Sequence, residues 1–389
     1  MRRGLSAILA VLVLLLVGPV AACGAVSGES TPSVASGGLG NGWQPERALS
    51  LDYATQFDVD FYQGGLALVM IHGGDTDSRY LVVPEGGAVP DGIDSDIVVL
   101  RQPLVNTYVA ATSVVSLFSA LDAFDDMKYT SLAPDAWYVP SVKAAMEQGH
   151  LVFGGKYSSP DYELLLQAKP SLAIENTMIN HSPAVKEKLE SVGIPVLVEQ
   201  SSYENHPLGR TEWIKLIGVL VGKQGQAEKV FADQAAQLDA LAGRADTGKT
   251  VAFFYISSAG YAVARKSGDY IPAMIQLAGG RYIFSDLGDD SATSTVNLEM
   301  EQFYAQAKDA DYVIYNAAID GAPTSLAEFT ALSPLLADFK AVQDGQVWTT
   351  GKDFYQDMTG LGTMVTDIHE MLTWTDGRPN QFDFLTRLI

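Results

Sequence analysis

The first strongly apolar stretch of the chain, Leu5 to Val17, follows Arg2 and Arg3 and gives way to Val20, Ala21 and Ala22 before Cys23. A basic start, an apolar core of about 13 residues and a small-residue exit describe a secretory leader, and such a core is too short to cross ~30 Å of hydrocarbon as a helix. From Gly24 to Gly42 the patterning dissolves into Gly, Ser, Ala and Thr with Glu29 as the one charge, the composition of a flexible linker. From Leu49 it returns with a period of two. YATQFDVDFYQGGLALVMIHGG and SRYLVVPEGG carry β-branched and aromatic residues between Gly and Pro punctuation, which predicts hairpin strands.

Beyond Asp96 strand-like and helical patterns alternate. IVVLRQP and VNTYVAA read as strands, and SVVSLFSALDAF has helical spacing. AWYVPSVKAAMEQG, SPDYELLLQAK and SPAVKEKLESVG read as helices, each followed by a strand: HLVFGG, PSLAIENT and IPVLVEQ. A second block repeats the texture with TVAFFYIS, DYVIYN and QVWTT as strands and YIPAMIQLAG, VNLEMEQFYAQAKDA and LAEFTALSPLLADF as helices. Between the blocks Ala227, Val230, Phe231, Gln234, Leu238 and Leu241 recur at three and four. That is one amphipathic helix of about 18 residues, reaching ~27 Å, enough to bridge two lobes. The fold class expected is α/β: two α/β lobes joined by a single long backbone helix, with a ligand cleft between them at the carboxyl ends of the strands.

The 389 residues suffice for two domains with buried cores, and composition narrows the partners. The formal charge is −21, and loss of Arg2 and Arg3 with the leader takes it to −23. So acidic a surface repels phosphate backbones and anionic lipid, which excludes nucleic acid as an expected partner. Cys23 is the only cysteine, so no disulfide forms within the chain. Its setting, Val-Ala-Ala-Cys, resembles the bacterial lipobox, whose cysteine becomes the lipidated first residue; Val stands where Leu is commoner. GRADTGKT, residues 243–250, matches the P-loop letter for letter. A P-loop needs a strand before it and a helix after it, and here that order is reversed, so no nucleotide site is expected. The histidines, His72, His150, His181, His206 and His369, show no ligand-like pairing, and neither a nucleophile elbow nor a catalytic cysteine is present.

SPDYELLLQAKPSLAIENT, SPAVKEKLESVGIPVLVEQ, GRTEWIKLIGVLVGKQGQAEKVF, AMIQLAGGRYIF and VNLEMEQFYAQAKDADYVIYN, in that order, resemble the metal-chelate substrate-binding proteins of ABC importers. These helical-backbone proteins capture iron-siderophores, haem and cobalamin. The resemblance runs from about Leu49 to the C-terminus. It implies a leader at 1–22, a linker at 23–48, lobes at 49–208 and 247–389, and the connecting helical segment at 209–246. It implies that Glu163 in the first lobe and Glu301 in the second dock onto arginines of the permease. Ser159 and Asn297 stand four residues before them as expected N-caps, and Glu299 is the neighbouring alternative. Each glutamate taken alone also suits a first helical turn as complement to the helix dipole.

Ligand candidates follow the strand ends: Tyr108, Thr112, Trp137, Tyr138, Lys156, Tyr157, Asn176 and Thr177 in the first lobe. The second lobe offers Tyr261, Arg265, Lys266, Tyr270, Trp348, Lys352, Phe354 and Tyr355, and the loop before the connector adds Tyr203, His206 and Arg210. Aromatic rings give a flat apolar wall and Arg and Lys supply counter-charges, while any one aromatic is equally a core residue. Pro207 and Glu212 also suit a helix start. His206 is weighed both as an axial ligand to a chelated metal and as a polar loop residue. The expected protein is an extracytoplasmic, lipid-anchored monomer that works with a permease and its ATPase. The metal arrives inside the ligand, so no resident cofactor is expected. An extracytoplasmic enzyme or assembly factor reusing the scaffold is the alternative.

Overall fold

In the computed structural model, which describes residues 38–40, 42–73, 76–244, 246–288, 294–319 and 322–389, the first sheet comes from the alternating segments. Its strands are β1 (Arg47–Ala48), β2 (Phe57–Tyr62), β3 (Leu66–Ile71), β4 (Ser78–Val83) and β5 (Val98–Arg101), in that spatial order. The first three pairings are antiparallel, as the hairpin pattern predicts, and β4 to β5 is parallel. Phe57, Val59 and Phe61 alternate onto the main core of the first lobe, while Tyr62, on the other face, packs in a smaller cluster with Leu68 and Leu81.

The second sheet is wholly parallel. Its strands are β6 (Thr107–Val109), β7 (Met127–Thr130), β8 (Val152–Phe153), β11 (Ala173–Glu175) and β12 (Val196–Val198), ordered β12-β11-β6-β7-β8. Between β8 and β11 the chain makes a two-strand ribbon, β9 (Gly155–Lys156) and β10 (Ser159–Pro160). The crossovers carry α1 (Val114–Ala120), α2 (Pro140–Glu147), α3 (Tyr162–Ala168) and α4 (Pro183–Ser191).

The connecting segment holds two helices rather than one. α5 (Pro207–Leu220) begins where Pro207 fixes the first turn and is buried on every face except at Arg210. A Cβ on Gly218 would stand 2.6 Å from that of Ala227, so the bare backbone there lets α6 (Gln224–Asp239) cross close by. α6 is the amphipathic helix of the pattern and spans the lobes by itself. Ala227 and Phe231 enter the first core, Leu238 packs against both cores, and Leu241 just past its end lies in the second. The expected lobe boundary after residue 208 therefore falls inside the first turn of α5.

The second lobe is built on β13 (Thr250–Ile256), β14 (Ala262–Arg265), β15 (Arg281–Tyr282), β16 (Thr295–Leu298), β17 (Tyr312–Tyr315), β18 (Val347–Thr350) and β19 (Leu385–Arg387). The order is β16-β14-β13-β17-β18-β19, with β15 also on β13. β13, β15, β17 and β18 run parallel, and β14, β16 and β19 join antiparallel. Its helices are α7 (Tyr270–Leu277), α8 (Met300–Ala307), α9 (Leu326–Ala331), α10 (Lys340–Gln343) and α11 (Leu361–Leu372). The segment VNLEMEQFYAQAKDA, expected as one helix, divides into β16 and α8, because residues 295–298 pair along β14. GRADTGKT lies between the end of α6 and the start of β13, the reverse of the P-loop order.

Candidate functional site

Three cation–aromatic pairs meet where the lobes face each other. Arg210, the partly exposed residue of α5, holds its guanidinium carbon 4.1 Å above the centroid of Tyr270, the first residue of α7. Arg265 closes β14, and its Nη2 donates to the Tyr355 hydroxyl at 2.6 Å. Lys352, in the loop after β18, places its Nζ 5.2 Å from the ring centroid of Tyr138 in the first lobe.

The loop that carries Lys352 and Tyr355 is bolted to the opposite lobe. The Gln356 amide accepts from the Tyr138 N–H at 2.9 Å and donates to the Ala136 carbonyl at 2.8 Å. Met358 is buried within the first-lobe core. Its N–H donates to Ser116 Oγ at 3.0 Å, and its carbonyl accepts from Thr211 Oγ1 at 2.8 Å.

Arg265 is positioned from several sides. Its backbone donates to and accepts from the Tyr282 hydroxyl, and its Nη1 reaches Asp269 Oδ2 at 3.3 Å. Asp269 is itself the cap of α7, accepting from the Ile271 N–H. Burial works against the Arg265 charge, but Tyr355 and Asp269 outweigh it and hold the guanidinium above its ordinary range. Burial raises Tyr270 and Tyr355 above the usual phenol range, with Arg265 drawing both back down. Burial also raises Glu199, which accepts from the Ser201 N–H at 2.8 Å and feels the charge of Arg210. Asp269, Asn316, Gln356, Met358 and Glu199 escaped the sequence reading. None lies in a motif, and only their long-range partners give them a role.

Of the sequence candidates, Tyr138, Arg210, Arg265, Tyr270, Lys352 and Tyr355 come together in this ring. Tyr108, Trp137, Trp348 and Phe354 do not line it. Each is at most 2% exposed and serves as core packing, which corrects their reading as cleft walls. Asn176 caps the turn at 177–181, and Thr177 Oγ1 lies 3.2 Å from Ser202 Oγ. Thr112 is half-buried before α1, Lys156 is exposed on the ribbon, Tyr157 packs beneath α3 and α4, and Tyr261 sits in the β13–β14 turn. Lys266 is held through its backbone N–H on Ser294.

Two cavities flank the ring. One, of about 940 Å³, lies along α7 and the end of α6, with Tyr53, His206, Arg281 and His369 in its wall. The other, of about 400 Å³, is lined by Gln56, Lys186, Gln200 and the exposed Tyr203. The larger space and the densest chemistry thus do not coincide. The ring is the better candidate for capture, since convergent charged and aromatic groups, not volume, give a site its selectivity. His206 stacks on Tyr53 at 4.4 Å, and its Nδ1 accepts from the Leu208 N–H at 3.2 Å as the cap of α5. That bond leaves the hydrogen on Nε2, a donor and not a metal ligand, which turns the choice toward the polar role. Among the described residues, no group of three or more His, Cys, Asp or Glu could hold a metal ion.

Glu163 and Glu301 are both exposed and both occupy the second position of their helices, α3 and α8. Their caps are Asp161, whose carboxylate accepts from the Leu164 N–H at 3.0 Å, and Glu299. Ser159 and Asn297, the expected caps, are paired in β10 and β16 instead. Cys23 lies outside the described residues.

A family profile described as periplasmic binding protein matches residues 109–354. The chain belongs to the periplasmic binding protein family. This periplasmic binding protein is 23% identical over 340 residues to an uncharacterized lipoprotein of Methanocaldococcus jannaschii, covering 82% of this chain and 79% of the relative. Its fold is shared with a periplasmic binding protein of Veillonella parvula at TM-score 0.60 and 16% identity, over 79% of this chain and 98% of the other. A periplasmic haem-binding protein of Vibrio cholerae gives 0.55 and 22%, over 69% and 98%. The first sheet, β1 to β5, precedes the matched span.

Proposed function

We propose that this periplasmic binding protein is the lipid-anchored receptor of an ABC importer, capturing a metal chelate such as an iron-siderophore, haem or a cobalamin and handing it to the permease. One observation carries the reading: three cation–aromatic pairs from both lobes converge at their junction. Rings offer flat apolar area to a chelate, and the cations above them offer charge. The ligand is held between the lobes, Glu163 and Glu301 engage permease arginines, and release follows while the ATPase works. Cys23 carries the lipid, and the linker behind it keeps the lobes near the membrane as a monomer. No helix of the described residues is long and apolar enough to cross a membrane, so the anchor is assigned to the lipid. Binding, not catalysis, is the assigned activity.

A thermal-shift panel of ferric siderophores, haem and cobalamins tests this. A tight ligand at a hundredfold excess over Kd stabilises the fold by about 2.7 kcal/mol. Absence of a shift with every metal complex would overturn the reading.

A further inference from the structure

The hydrogen-bond inventory of the ring is one-sided. The Tyr355 oxygen accepts from Arg265 Nη2 at 2.6 Å and from Asn316 Nδ2 at 2.9 Å. The Asn316 amide is oriented by its other end, where Oδ1 accepts from the Ala318 N–H. With both lone pairs of the phenol taken, its own proton points elsewhere, and no acceptor among the described residues receives it. Arg265 uses two of its five N–H groups, on Asp269 and Tyr355. The Arg210 side chain and Lys352 Nζ donate to no acceptor among the described residues, and neither forms an ion pair there.

The acids of the neighbourhood are already engaged. Asp269 pairs with Arg265 and caps α7, and Glu199 holds the Ser201 N–H. Asp357, near Lys352 in sequence, accepts from the Thr359 N–H and hydroxyl. What the junction leaves unsatisfied is therefore a set of donors, three of them cationic, in a chain whose total charge is −21.

Resting on the capture reading above, we infer that the junction selects a chelate whose outer surface is anionic oxygen, such as carboxylate or catecholate, and that the Tyr355 hydroxyl is its specificity-determining contact. A ligand that presents amide or hydroxyl donors would leave these groups facing one another, with buried donors unpaired. An oxygen-rich anion satisfies Tyr355, Arg265, Arg210 and Lys352 together. Charge-assisted bonds of this kind are the strong ones, so the discrimination should be large.

Calorimetric titration of the full mature chain with four probes tests the inference: ferric citrate, a ferric tris-catecholate, a ferric trihydroxamate and cyanocobalamin. The two anionic complexes are expected to bind at least about tenfold more tightly than the other two. Tyr355→Phe, which keeps the ring and removes the proton, is expected to weaken the anionic probes by about tenfold, with Tm and near-ultraviolet dichroism unchanged. Arg210→Met should do likewise. Equal or tighter binding of the trihydroxamate or cyanocobalamin would overturn the inference and leave capture of a chelate standing. Unaltered affinity in Tyr355→Phe would remove Tyr355 from the role. If none of the four binds, the capture reading falls, and this one with it.

Discussion

Glu212 and Lys215, one turn apart on α5, form an ion pair of 2.7 Å with both side chains almost wholly buried. The carboxylate also accepts the backbone N–H groups of Asp52, Tyr53 and Ala54, and Lys215 reaches the Ser50 carbonyl. Glu204 does the same one step further along, accepting from the N–H groups of Thr55 and Gln56 and from the Trp213 indole. Two buried carboxylates therefore pin residues 52–56 against α5. Glu212→Ala strands Lys215 and three backbone donors at once, so a loss of about 3–5 kcal/mol is expected in chemical denaturation. A loss below 1 kcal/mol would show that this clamp is dispensable.

Glu175, at the end of β11, is buried with no hydrogen-bond partner for either oxygen among the described residues. Burial raises its pKa from 4.5 to about 8. The unfolded chain ionises near 4.5 and the folded chain does not, so stability is full below 4.5 and declines as pH rises toward 8. Glu175→Gln should remove this slope and raise stability at pH 8 by more than about 1 kcal/mol, read from denaturation midpoints at pH 5 and pH 8. Parallel pH profiles for the variant and the parent would contradict the assignment.

Gly155 has φ +88°, and a Cβ there would fall 2.4 Å from the Asp161 backbone nitrogen. Gly155→Ala must move the ribbon or the cap of α3, at a cost of about 1–3 kcal/mol. Because α3 carries Glu163, the variant is expected to lower uptake more than it lowers ligand affinity, measured in cells and by titration.

Glu163→Ala combined with Glu301→Ala should abolish uptake and leave ligand affinity unchanged. Both residues are exposed, so stability is expected to stay within about 0.5 kcal/mol of the parent. A fall in affinity would place them in binding instead of docking.

Mass spectrometry of the native protein should find a diacylglycerol adduct on Cys23, and Cys23→Ser should release the chain to the medium. An unmodified Cys23 on a membrane-retained chain would reject the anchor.

The architecture was readable where the pattern had a period. Residues 57–62 alternate, Ala227 to Leu238 recur at helical spacing, and both became the elements they announced. The break between α5 and α6 was harder to see, because α5 is buried nearly all round and lacks a polar face to mark its limits. Trp137, Trp348 and Phe354 were misplaced for a related reason. An aromatic after a strand looks the same whether it turns to the cleft or the core, and only the packing of α2, α11 and the second-lobe core decides. Arg210, Arg265 and Tyr355 could be suspected singly from their loops. Their pairing could not, since Arg265 and Tyr355 are 90 positions apart.

The seating of Met358 in the opposite lobe's core bears on how such a receptor can move. Any rotation that parted the lobes at this point would draw an apolar side chain into water and break the bonds of Gln356 and Thr211 with it, a penalty of several kcal/mol at roughly 2–5 for a buried methionine alone. Thermal energy supplies little of that. The junction behaves as a fixed jaw, and a chelate enters and leaves by threading the gap between rigid walls, so its residence time reflects the bonds it makes there more than any hinge.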